Sequence, residues 1–371
     1  MRIAINEPSL GAEEIRAVSS VLRNGRLTSA QFHGGAYVQA FESAVASYVG
    51  AKYVIAMASG TAALQASLYI AGIKKGDHIL VPSFTFIATA NAISSLGAKP
   101  IFVDILQNYT IDPDDVAKKI TKKTKAIIPV HLYGNVAPIR DIVKLAKEYD
   151  LQVIEDAAQS LGSTSRKKHT GTFSDMGCFS MYPSKVITAG EGGFVVTNNK
   201  KLHDQLLMFR NHGIGPRGPQ TFGLNFRLPE ISAALGTAQL KKLDKFLKMR
   251  RRNANLLTKL ISDMGIILPI PPKDTNVNYS LYTVAVPDRD NILRKLYQKG
   301  IGAAAYYNMP VHKTPFFKNA TRLPVTDWAA LHVLSLPVHP HVSTRGIEYI
   351  AKILHEAVWE ASETSWEVFA R

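Results

Sequence analysis

The chain has 371 residues, 46% hydrophobic and 20% charged, with 44 Lys and Arg against 29 Asp and Glu, a net charge of +15. That length buries a large core and divides into two domains, read as residues 1–250 and 251–371. Cys178 is the only cysteine, which excludes an intrachain disulfide and any cysteine-rich metal centre.

Met1 to Glu7 lacks the apolar run of a signal peptide, so a cytoplasmic location is expected. Residues 11–23 read as a helix, with Ile15, Val18, Val21 and Leu22 at helical spacing. A polar, glycine-containing loop spans Gly25 to Gly35. A second helix follows over 38–49, with Phe41, Val45 and Val49 on one face. A regular alternation then begins. Strands are predicted over 53–57, 78–81, 100–103, 126–130, 153–154, 177–180 and 194–197. Helices are predicted over 62–71, 89–96, 112–120 and 139–149, with Asp112-Pro113 as cap and first-turn residue of the third. Two stretches, Tyr53–Ile73 and Ile79–Ala98, lack charge. Polar residues interrupt each, so each reads as a strand and a helix, not as a membrane span. Pro229 to Asp263 reads as one long basic amphipathic helix or two, and Pro269 to Pro272 as a linker. Beyond it, strands are predicted over 280–286 and 302–306, helices over 290–299 and 347–361, and a frayed end from Glu363 to Arg371.

Short apolar strands alternating with helices imply an α/β fold, a mostly parallel sheet covered on both faces, followed by a smaller α+β domain. Ligands of such sheets bind beyond the carboxyl ends of the strands, where Ser59, Asp104, His131 and Asp156 fall. The basic residues are spread in clusters at Lys118-Lys119 with Lys122-Lys123, at 166–168 and at 248–252, with no zinc-finger or aromatic-basic motif. They read as solvated faces, or as attraction for a small anionic substrate. No nucleic-acid partner is expected.

Four stretches carry chemistry. Ser59-Gly60-Thr61 sits between a strand and a helix and reads either as a phosphate cup or as an N-cap without a ligand. Glu155-Asp156 reads as metal ligands, as an orienter for a ring nitrogen, or as a helix cap. Ser83-Phe84-Thr85-Phe86 supplies an aromatic. Ser180-Met181-Tyr182-Pro183-Ser184-Lys185, with Gly190-Glu191-Gly192-Gly193 after it, holds a lysine in a short turn. There the lysine is either an ordinary surface residue or a partly desolvated nucleophile. In this order they are the parts that pyridoxal 5'-phosphate requires: a cup for the phosphate, a flat ring to stack on, an acid for the pyridine nitrogen and an amine for the aldehyde.

Together with Pro82–Ala90, His131-Leu132-Tyr133-Gly134, Glu155–Ser160 and Gly223-Leu224-Asn225-Phe226-Arg227, these motifs resemble the DegT/StrS-type nucleotide-sugar aminotransferases over residues 10 to 355. The resemblance implies the pyridoxal-phosphate-dependent transferase fold of type I, with a seven-stranded, mostly parallel sheet in the large domain. It implies that Lys185 holds the cofactor and shuttles the proton, that Asp156 pairs with the ring nitrogen and that Gln159 sits near the ring hydroxyl. By the same resemblance Phe86 stacks on the ring, and Gly60, Thr61 and Ser180 hold the phosphate. Asn225 would reach the cofactor of the neighbouring subunit, making a homodimer with shared sites. Tyr306 and His312 would contact the sugar, or else be a packed tyrosine and a surface histidine. Val186 stands where the family usually has Asn, and Met181 where an aromatic is common. A related branch carries histidine at the lysine position and dehydrates sugars, so Lys185 points to amino transfer. The implied reaction moves an amino group from an amino acid, usually L-glutamate, to a nucleotide-linked ketosugar, for amino-sugar and polysaccharide biosynthesis. Rival readings are a relative acting on a cyclitol ketone and a cofactor-binding regulator without turnover.

Overall fold

The structure, a computed structural model, describes residues 2–365. Of the expected frayed end, residues 366–371 lie outside the described residues; residues 363–365 continue the last helix. One sheet carries the fold, with strands β1 (Tyr53–Met57), β2 (His78–Pro82), β3 (Lys99–Val103), β4 (Thr124–Ile127), β5 (Gln152–Asp156), β6 (Met176–Ser180) and β7 (Gly193–Thr197). Their order across the sheet is β1-β7-β6-β5-β4-β2-β3. Pairs among β2 to β6 are parallel, and β7 alone runs antiparallel to its neighbours β1 and β6. The segment between β6 and β7 forms no helix, so the chain returns beside β6 in the opposite sense. That segment contains Lys185.

Strand alternation assigns the two faces. Ile55 and Met57 of β1, Cys178 of β6 and Val195 of β7 join one core, under α3 (Gly60–Ile70) and α4 (Ile87–Ser94). Val54, Ala56, Phe179, Phe194 and Val196 join the other, with Phe41 of α2 (Ala36–Val49). Strand β4 stops at Ile127, short of the expected residue 130, because Pro129 has no N–H for the ladder.

The basic stretch after Pro229 is two helices, Glu230–Leu240 and Leu243–Leu260. The second serves two cores. Leu243, Phe246 and Leu247 pack with the sheet, while Ala254 and Leu257 pack in a separate cluster around a strand pair, Tyr282–Ala285 with Val333–Leu336. Ile3 joins that second cluster and bridges Ile301. The expected strand over 302–306 does not form. The segment pairs with Ile3 at Ile301 and with Ser335 at Ala304, one residue each, so no ladder builds. The cluster at 248–252 is a solvated face only in part: Lys248 and Arg252 are exposed, but Arg250 is buried and donates to the carbonyls of Tyr279 and Ser280 and to Asn6 Oδ1. In the first helix, Ala12–Asn24, Val21 is buried but Ile15 and Leu22 are exposed. Among the described residues no helix is long and apolar enough to cross a membrane.

Candidate active site

The carboxyl ends of β1, β5 and β6 lie side by side, with Gly193 pinned between Met57 and Ser180. A Cβ at Gly193 would lie 2.5 Å from Ser59 C and 2.6 Å from Gly60 N and Phe179 O. A Cβ at Gly60 would lie 2.8 Å from Ser180 Cβ. Glycine is therefore required at both, and the Ser59–Thr61 turn sits directly against Ser180. Ser59 Oγ accepts from the Ala62 amide at 3.0 Å, so Ser59 is the N-cap of α3. The cap leaves the Gly60 and Thr61 amides and the Thr61 hydroxyl without a partner among the described residues. These free donors at a helix start are an anion site.

At the end of β5 the acidic pair divides. Glu155 is fully buried and accepts from His131 Nε2 at 3.0 Å, from the amides of Gly171, Phe173 and Ser174, and from the Ser174 hydroxyl. His131 Nδ1 accepts from the Ala137 amide, so the ring is the neutral tautomer protonated at Nε2. Glu155 thus anchors the loop at 171–174. Asp156 faces the site. Its Oδ2 accepts from Thr89 Oγ1 at 2.8 Å and its Oδ1 from the Ala158 amide at 3.1 Å. Burial raises its pKa, opposed by those two bonds and by the Lys185 ammonium. Among the described residues no cluster of His, Cys, Asp and Glu fit for a metal occurs.

Lys185 stands in a tight loop. Its amide donates to the Tyr182 carbonyl at 2.8 Å, and Met181 bonds across the loop to Gly192 and Ala189. Asn6 Nδ2 clips the turn from outside at the Pro183 carbonyl, 2.8 Å away. The Lys185 side chain is half-buried, and no hydrogen bond or ion pair holds its amine among the described residues. Burial lowers its pKa, against the pull of the Asp156 carboxylate. The two groups therefore push each other toward charge while burial pushes both toward neutrality. Val186 and Met181 are buried in the apolar cluster of Phe41, Phe179 and Phe194 and face away from the site.

Phe86 is exposed, with its ring 6.1 Å from that of Tyr307. Gln159 joins the group: its Oε1 accepts from the Tyr133 amide at 2.7 Å and its Nε2 donates to Tyr307 Oη at 3.2 Å. Asn225 is exposed, and the next residue's carbonyl accepts from the Ala58 amide at 2.8 Å, beside the Ser59 turn. Tyr306 is half-buried, and its carbonyl accepts from the Tyr133 hydroxyl. His312 is buried rather than at the surface. Its Nδ1 meets Ser83 Oγ at 2.7 Å, its amide donates to the same oxygen, its carbonyl accepts from the Asn319 amide and its Nε2 faces Asp327 at 3.6 Å, so its partners lie outside the Lys185 group. The structure thus gathers Gly60, Thr61, Phe86, Asp156, Gln159, Ser180 and Lys185 at the carboxyl end of the sheet.

Sequence reasoning missed Thr89, Tyr307 and Asn6. Thr89 lies in the Pro82–Ala90 motif and at a predicted helix start with no role assigned, though one turn after Phe86 it faces the same way. Tyr307 stood next to a named candidate. Asn6 left no signal, because its contact spans 177 residues of chain.

The fold and site have counterparts. The DegT/DnrJ/EryC1/StrS aminotransferase family matches residues 8–355. A "Pleiotropic regulatory protein" of Geobacillus stearothermophilus is 36% identical, covering 94% of this chain and 95% of its own length. A UDP-2-acetamido-2-deoxy-3-oxo-D-glucuronate aminotransferase of Pseudomonas aeruginosa is 36% identical over 91% of this chain and 94% of its own. The crystal structure of S. venezuelae DesV in complex with a ketimine intermediate is 34% identical, with a TM-score of 0.89, over 93% of this chain and 94% of that one. The chain belongs to the DegT/DnrJ/EryC1/StrS aminotransferase family.

Proposed function

We propose that the chain is a pyridoxal 5'-phosphate-dependent aminotransferase, moving an amino group from an amino acid, L-glutamate, to the keto carbon of a nucleotide-linked sugar. The observation that carries this reading is a half-buried Lys185 amine, unbonded among the described residues, beside buried Asp156, at the carboxyl end of the sheet with the Gly60 and Thr61 donors. The Pseudomonas relative, named for a 3-oxo sugar on UDP, supports the substrate class. Family membership supports the cofactor, and the residues fit it.

When bound, the cofactor supplies an electron sink for a carbanion and a carrier for the amino group. Lys185 would hold it covalently, and its amine, whose pKa burial lowers, would take and return the proton at the reacting carbon. Asp156, oriented by Thr89 and Ala158, would keep a proton on the ring nitrogen. Gly60, Thr61 and Ser180 would hold the phosphate, Phe86 would cover one ring face, and Gln159, fixed by Tyr133 and Tyr307, would meet the ring hydroxyl. Tyr306 would contact the sugar. His312 would act there only through the Ser83 segment it buttresses.

Asn225 would reach the partner's cofactor in a homodimer with shared sites, an arrangement supported by its exposure and by the exposed Phe222, Ile15 and Leu22. The cofactor domain would span residues 1–250 and the small domain residues 251–371, with the helix Leu243–Leu260 common to both. The setting would be cytoplasmic amino-sugar and polysaccharide biosynthesis.

Half-transamination tests the reading. L-glutamate should bleach the visible absorbance of the holoenzyme and release 2-oxoglutarate, and a nucleotide ketosugar should restore the colour and emerge as its amine by mass spectrometry. A holoenzyme indifferent to glutamate and to every other amino donor would remove amino transfer. It would leave the cofactor-binding regulator; the Geobacillus relative is named a regulatory protein.

A further inference from the structure

A cleft of about 600 Å³ lies between the start of the first helix, the start of the helix Leu243–Leu260 and the turn at Pro340. No residue of the Lys185 group lines it. Its floor is apolar, from Phe246, Met249 and Pro340, and Arg16, Lys241 and Lys245 stand around it. None of these three cations pairs with a carboxylate among the described residues. Other basic side chains of this chain do: Lys119 with Asp115 at 2.7 Å, and Lys313 with Asp327 at 2.7 Å. The single carboxylate in the lining, Glu13, is already engaged by Lys242 at 2.8 Å, and Lys242 also bonds Glu14 at 2.8 Å.

Three uncompensated cations around one concavity repel each other, and the concavity focuses their field. An anion relieves the repulsion, and a guanidinium and two ammonium groups are donors of the kind that phosphate oxygens accept from. The volume is that of a small-molecule site, and the floor suits a flat apolar group.

We propose that this cleft binds a small organic phosphate, its phosphate groups on Arg16, Lys241 and Lys245 and its apolar part over Phe246 and Met249. The site is separate from the reaction centre and stands whether or not the reaction proposed above is right.

Calorimetry of the holoenzyme with inorganic pyrophosphate tests it, since the bound cofactor keeps the Gly60–Thr61 cup filled. One pyrophosphate per chain is expected, bound more weakly as salt is raised. The double substitution Lys241→Glu with Lys245→Glu should weaken binding roughly tenfold or more, and Arg16→Ala should do so independently. Both variants should bleach with glutamate as the wild type does. Heats equal in wild type and variants would mean that the probe sits elsewhere and would overturn the proposal. No heat from wild type, as when a second copy of the chain covers the cleft, would overturn it too. Loss of the glutamate reaction in wild type with pyrophosphate binding intact would sink the aminotransferase reading and leave the cleft standing.

Discussion

Adjacent carboxylates at the end of β5 show how much one position decides. Glu155 meets five protein donors and is spent on holding a loop, while Asp156 keeps two and opens to the site. The acidic pair was legible in the sequence, but the division of labour was not, because it rests on partners at 131 and 171–174. In the cofactor-free protein the raised pKa of Asp156, caused first by burial, means that the native state binds its proton more tightly than the unfolded chain does. That contribution to stability is whole below the ordinary value of 3.8 and is lost as pH rises through the raised folded value. Asp156→Asn should abolish the loss. The cofactor-free variant is then expected to melt roughly 1–3 °C above wild type at about pH 7, with the gap closing toward about pH 4. Coincident melting curves across that range would show that the buried carboxyl carries no such cost. The same substitution should leave the cofactor bound but nearly without turnover.

At the scale of elements, the strand–helix alternation could be read directly, because buried parallel strands are short apolar runs bounded by turn residues. What could not be read was the small domain's second strand. The run at 302–306 looks extended but divides its pairing between Ile3 and Ser335, two segments far apart in the chain. The main sheet's one strand antiparallel to its neighbours, β7, is what closes the site. Its first residue backs the phosphate cup, and the loop before it presents Lys185. Gly193→Ala should therefore do more than a surface glycine change. Its new methyl would force the Ser59–Gly60 backbone away from Phe179, for about 1–3 kcal/mol of stability. Cofactor affinity should fall roughly tenfold or more, measured by fluorescence titration of the cofactor-free protein. Unchanged affinity would mean that the cup moves as a unit and that the close contact is not what shapes it.

For the whole molecule, the open question raised by the fold is whose cup Asn225 serves. Its neighbour Phe226 bonds Ala58 in the same chain, yet the Asn225 side chain is exposed. Sequence resemblance supplied the shared-site arrangement, and no single-chain contact could have done so. Mixing two inactive variants, Lys185→Ala and Asn225→Ala, after dissociation and reassociation separates the cases. With shared sites, half of the dimers are mixed and each holds one intact site, so about a quarter of wild-type activity should return. No recovery would put Asn225 in its own chain's site. The first helix bears on the same question. Its periodicity was read correctly, but Ile15 and Leu22 remain outside the core of the single chain, the kind of apolar face that a second copy covers.

The proposed chemistry requires the covalent attachment at residue 185. Reducing the holoenzyme with borohydride, digesting it and measuring peptide masses should find the reduced cofactor on the peptide containing Lys185, and on none from Lys185→Ala. A label on any other lysine, or an unmodified digest from protein saturated with pyridoxal 5'-phosphate, would contradict it.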